Sequence, residues 1–123
     1  MPVKVVDASA IGALVFGEPE AEKVSATLSG ATLVAPALLP FETANIAVKK
    51  IRRHPEQRAA LLAAHALVDR LPVDLVAVDS AAVVGVAEET GLTAYDASYL
   101  WLARELRSEL VTLDAALHAA AGY

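Results

Sequence analysis

Cysteine is absent from this 123-residue sequence, which excludes disulfide bonds, thiolate metal sites and a thiol nucleophile. Long apolar runs are absent too. The longest uncharged apolar stretch of note, Ala31 to Phe41, is interrupted by two prolines and falls short of the ~18 apolar residues that a membrane span requires. The first residues, MPVKVVD, lack the apolar core of a signal peptide. We therefore expect a soluble, cytoplasmic protein that makes no membrane contact.

Basic residues are also scarce, with 10 Lys plus Arg against 15 Asp plus Glu and a net charge of −5. A protein that coats nucleic acid non-specifically would be basic, so this balance argues against that class. It does not exclude a nuclease that cuts nucleic acid at an acidic site. Hydrophobic residues make up 56% of the chain, which predicts either a tightly packed, alanine-rich core or an apolar surface covered by a partner chain.

Short apolar segments rich in β-branched residues alternate with helical segments along the chain. The predicted strands are Val3–Val6, Thr32–Ala35, Leu75–Val78 and Leu110–Leu113. The predicted helices are Ala10–Phe16, Ala21 to Gly30, one that follows Pro40, Glu56 to Arg70, Ser80–Thr90, Asp96 or Ala97 to Arg107, and Ala115–Ala121. This alternation is typical of an α/β fold with a parallel sheet. Without repeats or linkers, we expect a single domain over residues 1–123.

Four acids fall near the ends of predicted elements. Asp7 and Asp114 each follow a strand, Glu42 lies just beyond the second strand, and Asp96 opens a helix. Ligands bind outside the carboxyl ends of strands in open parallel sheets, which favours a shared site for at least three of the acids. Acids gathered in one cleft repel each other and need a cation or shifted pKa values.

Two polar residues accompany these acids. Asn45 lies three residues after Glu42 and shares its helix face, while Ser9 is placed to hold Asp7 by a local hydrogen bond. An all-oxygen set of this kind suits Mg²⁺ or Mn²⁺, and the three histidines, His54, His65 and His118, show no zinc-ligand spacing. A structural reading stays open, because Asp residues also end strands and cap helices routinely.

A basic run lies at the end of the helix that carries Glu42. Lys49, Lys50, Arg52 and Arg53 could contact the phosphates of a nucleic acid or could interact with the helix dipole, and Arg104 and Arg107 leave the same two interpretations open. Tyr99 and Trp101 are interpreted as core residues rather than as platforms for base stacking.

Four motifs in this order resemble the PIN-domain ribonucleases, and among them the VapC-type toxins of toxin–antitoxin pairs. They are Val5-Val6-Asp7-Ala8-Ser9-Ala10, the segment PALLPFETAN from Pro36 to Asn45, Tyr95-Asp96-Ala97-Ser98-Tyr99-Leu100, and Val111-Thr112-Leu113-Asp114. Each motif alone is weak, but the four together at these separations are specific, and they cover nearly the whole chain.

The resemblance implies a PIN-like α/β/α sandwich around a mainly parallel sheet of four or five strands. It implies a Mg²⁺- or Mn²⁺-dependent endoribonuclease that leaves 3′-hydroxyl and 5′-phosphate ends. Asp7, Glu42, Asp96 and Asp114 would be the catalytic, metal-binding acids, with Ser9, Asn45 and Thr112 around them. The expected partners are an RNA substrate, a cognate antitoxin that inhibits the enzyme, and a second copy of the chain in a homodimer.

The chain departs from the family pattern at Gly122-Tyr123, where relatives commonly continue with a helix and an edge strand; this leaves the fifth strand and part of the dimer surface open. The alternative function is a catalytically inert PIN-like interaction module whose acids only bind metal or cap helices. A phosphoaspartate phosphatase and a receiver domain are weak alternatives, since the second acid or adjacent acid pair that they need is missing.

Overall fold

Four short parallel strands form the central sheet of the computed structural model, which describes residues 1–123. The strands are β1 (Val3–Val6), β2 (Thr32–Pro36), β3 (Val73–Val76) and β4 (Glu109–Val111), in the order β3-β2-β1-β4. Val5 pairs with Val34 on one side and with Leu110 on the other. Because β1 is central, its Val5 and Val6 side chains are fully buried.

Seven helices cover the two faces of this sheet. They are α1 (Ala8–Val15), α2 (Ala21–Leu28), α3 (Leu39–Arg53), α4 (Arg58–Ala66), α5 (Ser80–Thr90), α6 (Ala94–Leu106) and α7 (Ala115–Ala120). The connections from β1 to β2 and from β2 to β3 run in one direction across the sheet, whereas that from β3 to β4 runs back. Right-handed crossovers therefore place α1–α4 on one face and α5–α6 on the other, which confirms the predicted α/β/α sandwich.

Small side chains let the layers approach closely, as the alanine-rich composition predicts. Ala10, Ala35 and Ala97 are completely buried in the core. On α1, a Cβ atom added at Gly12 would lie 3.1 Å from Cδ1 of Ile46 on α3. This close approach fixes α3 against the helix that begins directly after β1.

Three predicted boundaries were wrong. β3 begins at Val73 rather than Leu75, because its pairing runs from Leu33 opposite Val73 to Pro36 opposite Val76. Helix α6 begins at Ala94 with Thr93 as its N-cap, so Asp96 lies inside the first turn. The helix predicted from Glu56 to Arg70 is three elements, since 3₁₀ turns over Pro55–Gln57 and Leu67–Arg70 flank α4.

Smaller differences affect other ends. Helix α1 begins at Ala8 rather than Ala10, and Pro40 lies within the first turn of α3, where a missing N–H is harmless. No helix in the structure combines the length and the apolar character that crossing a bilayer requires.

Candidate active site

A cavity of about 530 Å³ opens at the carboxyl edge of the sheet, and all four predicted acids line it. Asp7 follows β1, Asp114 follows β4, Glu42 lies on α3, and Asp96 lies on α6. The chain leaves β1 toward one side and returns to β4 on the other, so the crevice between these neighbouring strands is a topological switch point. Asp96, which the sequence places only by analogy, joins the other three because α6 crosses the opposite face.

Asp7 is the most buried of the four acids, with 4% of its surface exposed. Its Oδ1 accepts hydrogen bonds from the Ser9 hydroxyl at 2.7 Å and from the Ala10 backbone N–H at 3.0 Å. Its Oδ2 accepts one from the Thr112 hydroxyl at 2.5 Å. Asp7 is therefore the N-cap of α1 and a cavity residue at once, so the structural and functional interpretations of this residue are compatible.

Two hydroxyl groups join β1 to the segment after β4. The Thr112 hydroxyl, which donates to Asp7, accepts the backbone N–H of Asp114 at 3.0 Å. The Ser9 hydroxyl likewise accepts the backbone N–H of Leu113 at 2.9 Å. Through these bonds, the two predicted supporting residues Ser9 and Thr112 set the position of Asp7 and the backbone that carries Asp114.

Asp114 lies on the exposed side of the cavity. Its Oδ1 accepts the backbone N–H of Leu117 at 2.8 Å and so caps α7. One carboxylate oxygen is thus engaged in the helix cap, and the other has no hydrogen-bond donor from the protein.

Glu42 brings an unsatisfied buried oxygen to the cavity. Its Oε1 is buried without a hydrogen-bond partner, and so is the hydroxyl oxygen of Tyr99. Burial raises the pKa of Glu42, and the nearby Tyr99 hydroxyl offsets part of that rise, although the two groups do not have full hydrogen-bond geometry. Burial of a carboxylate oxygen without a hydrogen-bond donor destabilises the folded protein unless an ion or a water molecule binds that oxygen. Asn45, one turn further along α3, also lines the cavity.

The Asp96 carboxylate receives no hydrogen bond from the protein. Its backbone N–H donates to the hydroxyl of Thr93, the N-cap of α6, at 3.2 Å. The Asp96 side chain is therefore not needed as a cap, and it lines the cavity. Nothing in the protein compensates for its partial burial.

Burial and mutual repulsion raise the pKa of three of these acids. Burial has the largest effect on the pKa of Asp7, which the charge of Asp114 raises further and the three hydrogen bonds oppose. Burial also raises the pKa of Glu42 and of Asp96. The charges of Asp7 and Asp96 add to the rise at Glu42, and those of Asp114 and Asp7 add to the rise at Asp96. The charges of neighbouring acids across the cavity therefore contribute to the raised pKa of each of these three carboxyl groups.

These features fit a divalent cation held partly through water. No group of three or more Asp, Glu, His or Cys side chains is arranged so that it could hold a metal ion by itself. Mg²⁺ typically takes about one or two carboxylates and keeps several waters, so a wider cavity of acids also suits it. The unsatisfied oxygen of Glu42, the free carboxylate of Asp96 and the repulsion between the acids would each be relieved by such an ion.

The structure separates the four basic residues predicted to contact substrate. Lys49 lines the cavity, and Arg52 and Arg53 are exposed in the last turn of α3. Lys50 instead forms an ion pair with Glu18 at 2.8 Å, and its ammonium lies 5.4 Å from the centre of the ring of Phe16.

Sequence reasoning did not assign two aromatic residues to the cavity, and its apolar pattern wrongly predicts that Phe41 faces the core. Phe41 and Tyr95 line the cavity and are 78% and 67% exposed. The aromatic residues considered earlier behave differently, since Tyr99 is buried and Trp101 packs against the core. A pattern that could have revealed the pair is an aromatic residue directly before an acid in the first turn of a helix, in Phe41-Glu42 and again in Tyr95-Asp96.

Comparisons with known proteins agree with the fold. The family model of the PIN domain matches residues 4–123. Among solved structures, that of PAE2754 from Pyrobaculum aerophilum is similar to this chain, with 29% sequence identity and a TM-score of 0.78. The match covers 97% of this chain and 79% of that one. No curated protein matches the chain.

Proposed function

The chain belongs to the PIN domain family, whose members are generally nucleases that use divalent metal ions, and we propose that it is a Mg²⁺- or Mn²⁺-dependent endoribonuclease. One observation carries the proposal: acids from four distant parts of the chain, Asp7, Glu42, Asp96 and Asp114, line one cavity at the switch point of the sheet. A role as helix N-caps alone would explain the positions of Asp7 and Asp114. It would not explain Glu42 and Asp96, whose carboxylates cap no helix.

The acids would hold the metal in distinct ways. Asp7 is fixed by three donors, so it would enter the site already oriented. Glu42, whose buried Oε1 has no partner, and Asp96, whose carboxylate receives no hydrogen bond, both line the cavity and would complete the coordination directly or through water. When bound, the ion would lower the pKa of a water molecule and neutralise the phosphodiester in the manner common to metal nucleases. Thr112 and Ser9 would hold Asp7 and the backbone of Asp114 in fixed relative positions during the reaction.

RNA cleavage tests this function. Purified protein should cut a structured RNA pool in Mg²⁺ or Mn²⁺ and should fail to cut it in EDTA, leaving 3′-hydroxyl and 5′-phosphate ends. Asp96→Asn should abolish cutting, because it removes a carboxylate that makes no hydrogen bond within the protein. Asp74→Asn, at an exposed acid on the edge strand β3, is the matched control and should cut normally.

The alternative function is a catalytically inert interaction module, and one observation favours it. Because no three acids are arranged to hold an ion by themselves, the cavity could serve only to cap helices and to receive a partner. In that case the wild-type protein would not cleave RNA in Mg²⁺ or Mn²⁺, even if calorimetry detected binding of the ion.

We further propose the partners of a toxin of this family, an inhibiting antitoxin and a second copy of the chain. Apolar side chains remain exposed at the outer edge of the sheet: Leu62 on α4, Leu67 in the following 3₁₀ turn and Leu75 on β3 are each more than 40% exposed. The outer side of β3 is unpaired. Such an edge is suited to a protein partner.

A further inference from the structure

Two exposed aromatic rings at the acidic cavity have no role in the fold. Phe41 and Tyr95 leave most of their surface in water, although burying an aromatic side chain is among the larger favourable contributions to folding. Both line the same cavity as the acids. Their exposure at this position therefore suits a ligand that offers a flat surface.

The rings approach the cavity from different layers of the protein. Phe41 lies on α3 and Tyr95 on α6, and these helices cover opposite faces of the sheet. A planar group that entered the cavity could contact a ring from each of these two layers. The cavity volume of about 530 Å³ is in the range of sites that hold small ligands, which leaves room for one nucleobase.

The surface of α3 next to Phe41 favours a nucleic acid over an apolar peptide. Phe41, Asn45 and Lys49 follow one another at intervals of four residues on one helix face, and all three line the cavity. The row spans roughly 12 Å, from the helical rise of about 1.5 Å per residue. Along this row the aromatic ring could stack on a base, the amide could hydrogen-bond to the polar edge of that base, and the cation could contact a backbone phosphate.

We propose that Phe41 and Tyr95 form an aromatic clamp that stacks one unpaired base beside the phosphate to be cut, with Lys49 contacting a neighbouring phosphate. This inference rests on the proposed nuclease function and adds to it the two residues that would hold the base. Bases in a duplex are stacked on each other and cannot offer a free face, whereas unpaired bases can stack on protein rings. The clamp therefore needs an unpaired base beside the phosphate to be cut.

The test is equilibrium binding of a short, fluorescently labelled single-stranded RNA to the Asp96→Asn protein in Mg²⁺, where cutting is blocked. In that background Phe41→Ala or Tyr95→Ala should each weaken binding about tenfold, the effect expected for one stacked base. Phe41→Tyr and Tyr95→Phe keep the rings and should change affinity by less than about twofold on the same scale. Val84→Ala, at an exposed apolar residue on α5, is the control and should bind normally.

Two further measurements report stacking directly. With 2-aminopurine in place of one base, fluorescence should be quenched on binding and restored in both alanine variants. A duplex of the same sequence should bind about tenfold more weakly, and its affinity should not depend on either ring. Both rings are exposed, so circular dichroism should show that the alanine variants remain folded.

The outcomes separate the clamp from the nuclease. Unchanged RNA affinity in both alanine variants, as expected if the rings receive a protein segment instead, would overturn the clamp. So would equal binding of duplex and single strand, or wild-type kcat/KM for RNA cleavage in both alanine variants. Ring-dependent RNA binding without cleavage by the wild-type protein would overturn the nuclease and support the clamp as a single-strand binding site.

Discussion

At the scale of single residues, Asp7 combines two tasks that usually fall to different residues. Its Oδ1 caps α1 through the Ala10 N–H, and its Oδ2 is held by Thr112 from the far end of the chain. The hydrogen bonds counteract the burial that raises its pKa. Asp96 has no such compensation, so these two acids should respond differently to the same substitution.

Asp96→Asn should stabilise the metal-free protein at pH 7. The substitution relieves repulsion from Asp114 and Asp7 and removes no hydrogen bond. A gain of about 0.5 kcal/mol would raise Tm by roughly 2 °C in a domain of this size. Differential scanning calorimetry in EDTA provides the measurement. Asp7→Asn is the contrast, and it should lower Tm because an amide nitrogen cannot accept the Thr112 hydrogen.

The gain from Asp96→Asn should also depend on pH. Because the pKa of Asp96 is raised in the folded state, the folded protein binds more protons than the unfolded one between the ordinary value of 3.8 and the raised value. The contribution of Asp96 to the free energy of unfolding of the wild-type protein therefore falls as pH rises through that window. The difference between variant and wild type should shrink toward zero below pH 3.8, and a difference that grows on acidification would contradict this account.

Thr112→Val should destabilise the fold. The valine keeps the shape but removes the hydroxyl that donates to Asp7 and accepts from Asp114. Loss of a hydrogen bond to a charged group costs about 1.5–3 kcal/mol, and the pKa of Asp7 should rise further because a donor that lowers it is gone. Urea unfolding should show a lower midpoint. Thr112→Ser, which retains the hydroxyl, should recover most of the loss.

At the scale of elements, α3 carries both an acid of the site, Glu42 in its first turn, and the one basic residue that lines the cavity, Lys49. The basic residues of its last turn, Lys50, Arg52 and Arg53, do not line the cavity. The close contact of Gly12 with Ile46 sets this helix against α1. A Cβ atom added at Gly12 would therefore require the Ile46 side chain to move by a few tenths of an ångström.

Neighbouring lysines on α3 should differ in their effect on RNA binding. Lys49→Ala should weaken binding and should reduce the slope of log K against log salt concentration by about 0.7, the value for one phosphate contact to a single strand. Lys50→Ala should leave the slope unchanged, because Lys50 is paired with Glu18. Fluorescence anisotropy titrations at several salt concentrations provide the comparison. Equal slopes for the two variants would place the phosphate path elsewhere.

The sequence predicts the order and type of these elements better than their ends. Apolar β-branched runs identify all four strands, because parallel strands buried by helices on both faces must be apolar. The start of β3 depends on its pairing with β2, which no local pattern encodes. Thr93 and Asp96 are both good N-caps, and only the turn geometry selects Thr93.

The candidate site was predictable to a similar extent. Motif order identified the four acids, and strand ends explained the location of Asp7 and Asp114. The exposure of Phe41 and the pairing of Lys50 with Glu18 depend on how α3 rotates against the sheet and α1. That rotation is set by packing across the layers, which spacing along the chain does not specify.

At the scale of the whole molecule, a divalent ion should act as a stabilising ligand. An ion concentration of ten times Kd contributes about 1.4 kcal/mol, which corresponds to roughly 6 °C in Tm. Melting in Mg²⁺ or Mn²⁺ should be compared with melting in NaCl of equal ionic strength. Glu42→Gln should reduce the shift, since it removes a carboxylate whose buried oxygen has no partner in the protein. An identical Tm with and without the ions would argue against a preformed site.

The proposed homodimer gives a second prediction at this scale. Light scattering should report twice the mass of the 12.8 kDa chain. Leu75→Asp should reduce it to the mass of one chain, because a charge on the unpaired edge strand β3 would oppose the burial of this edge. Val84→Asp, at an exposed residue on α5, should leave the mass unchanged. A single-chain mass for the wild-type protein would exclude this dimer.

The hydrogen bond between Thr112 and Asp7 also determines when the proposed nuclease site can form during synthesis of the chain. It joins residues 105 positions apart, and the Ser9 bond to Leu113 joins residues 104 apart. Loops of this length close late in folding because their entropy cost must be met first. A growing chain that contains only the first three strands has Asp7 and Glu42 but lacks Thr112 and Asp114, so the proposed nuclease site would be completed only once β4 is in place.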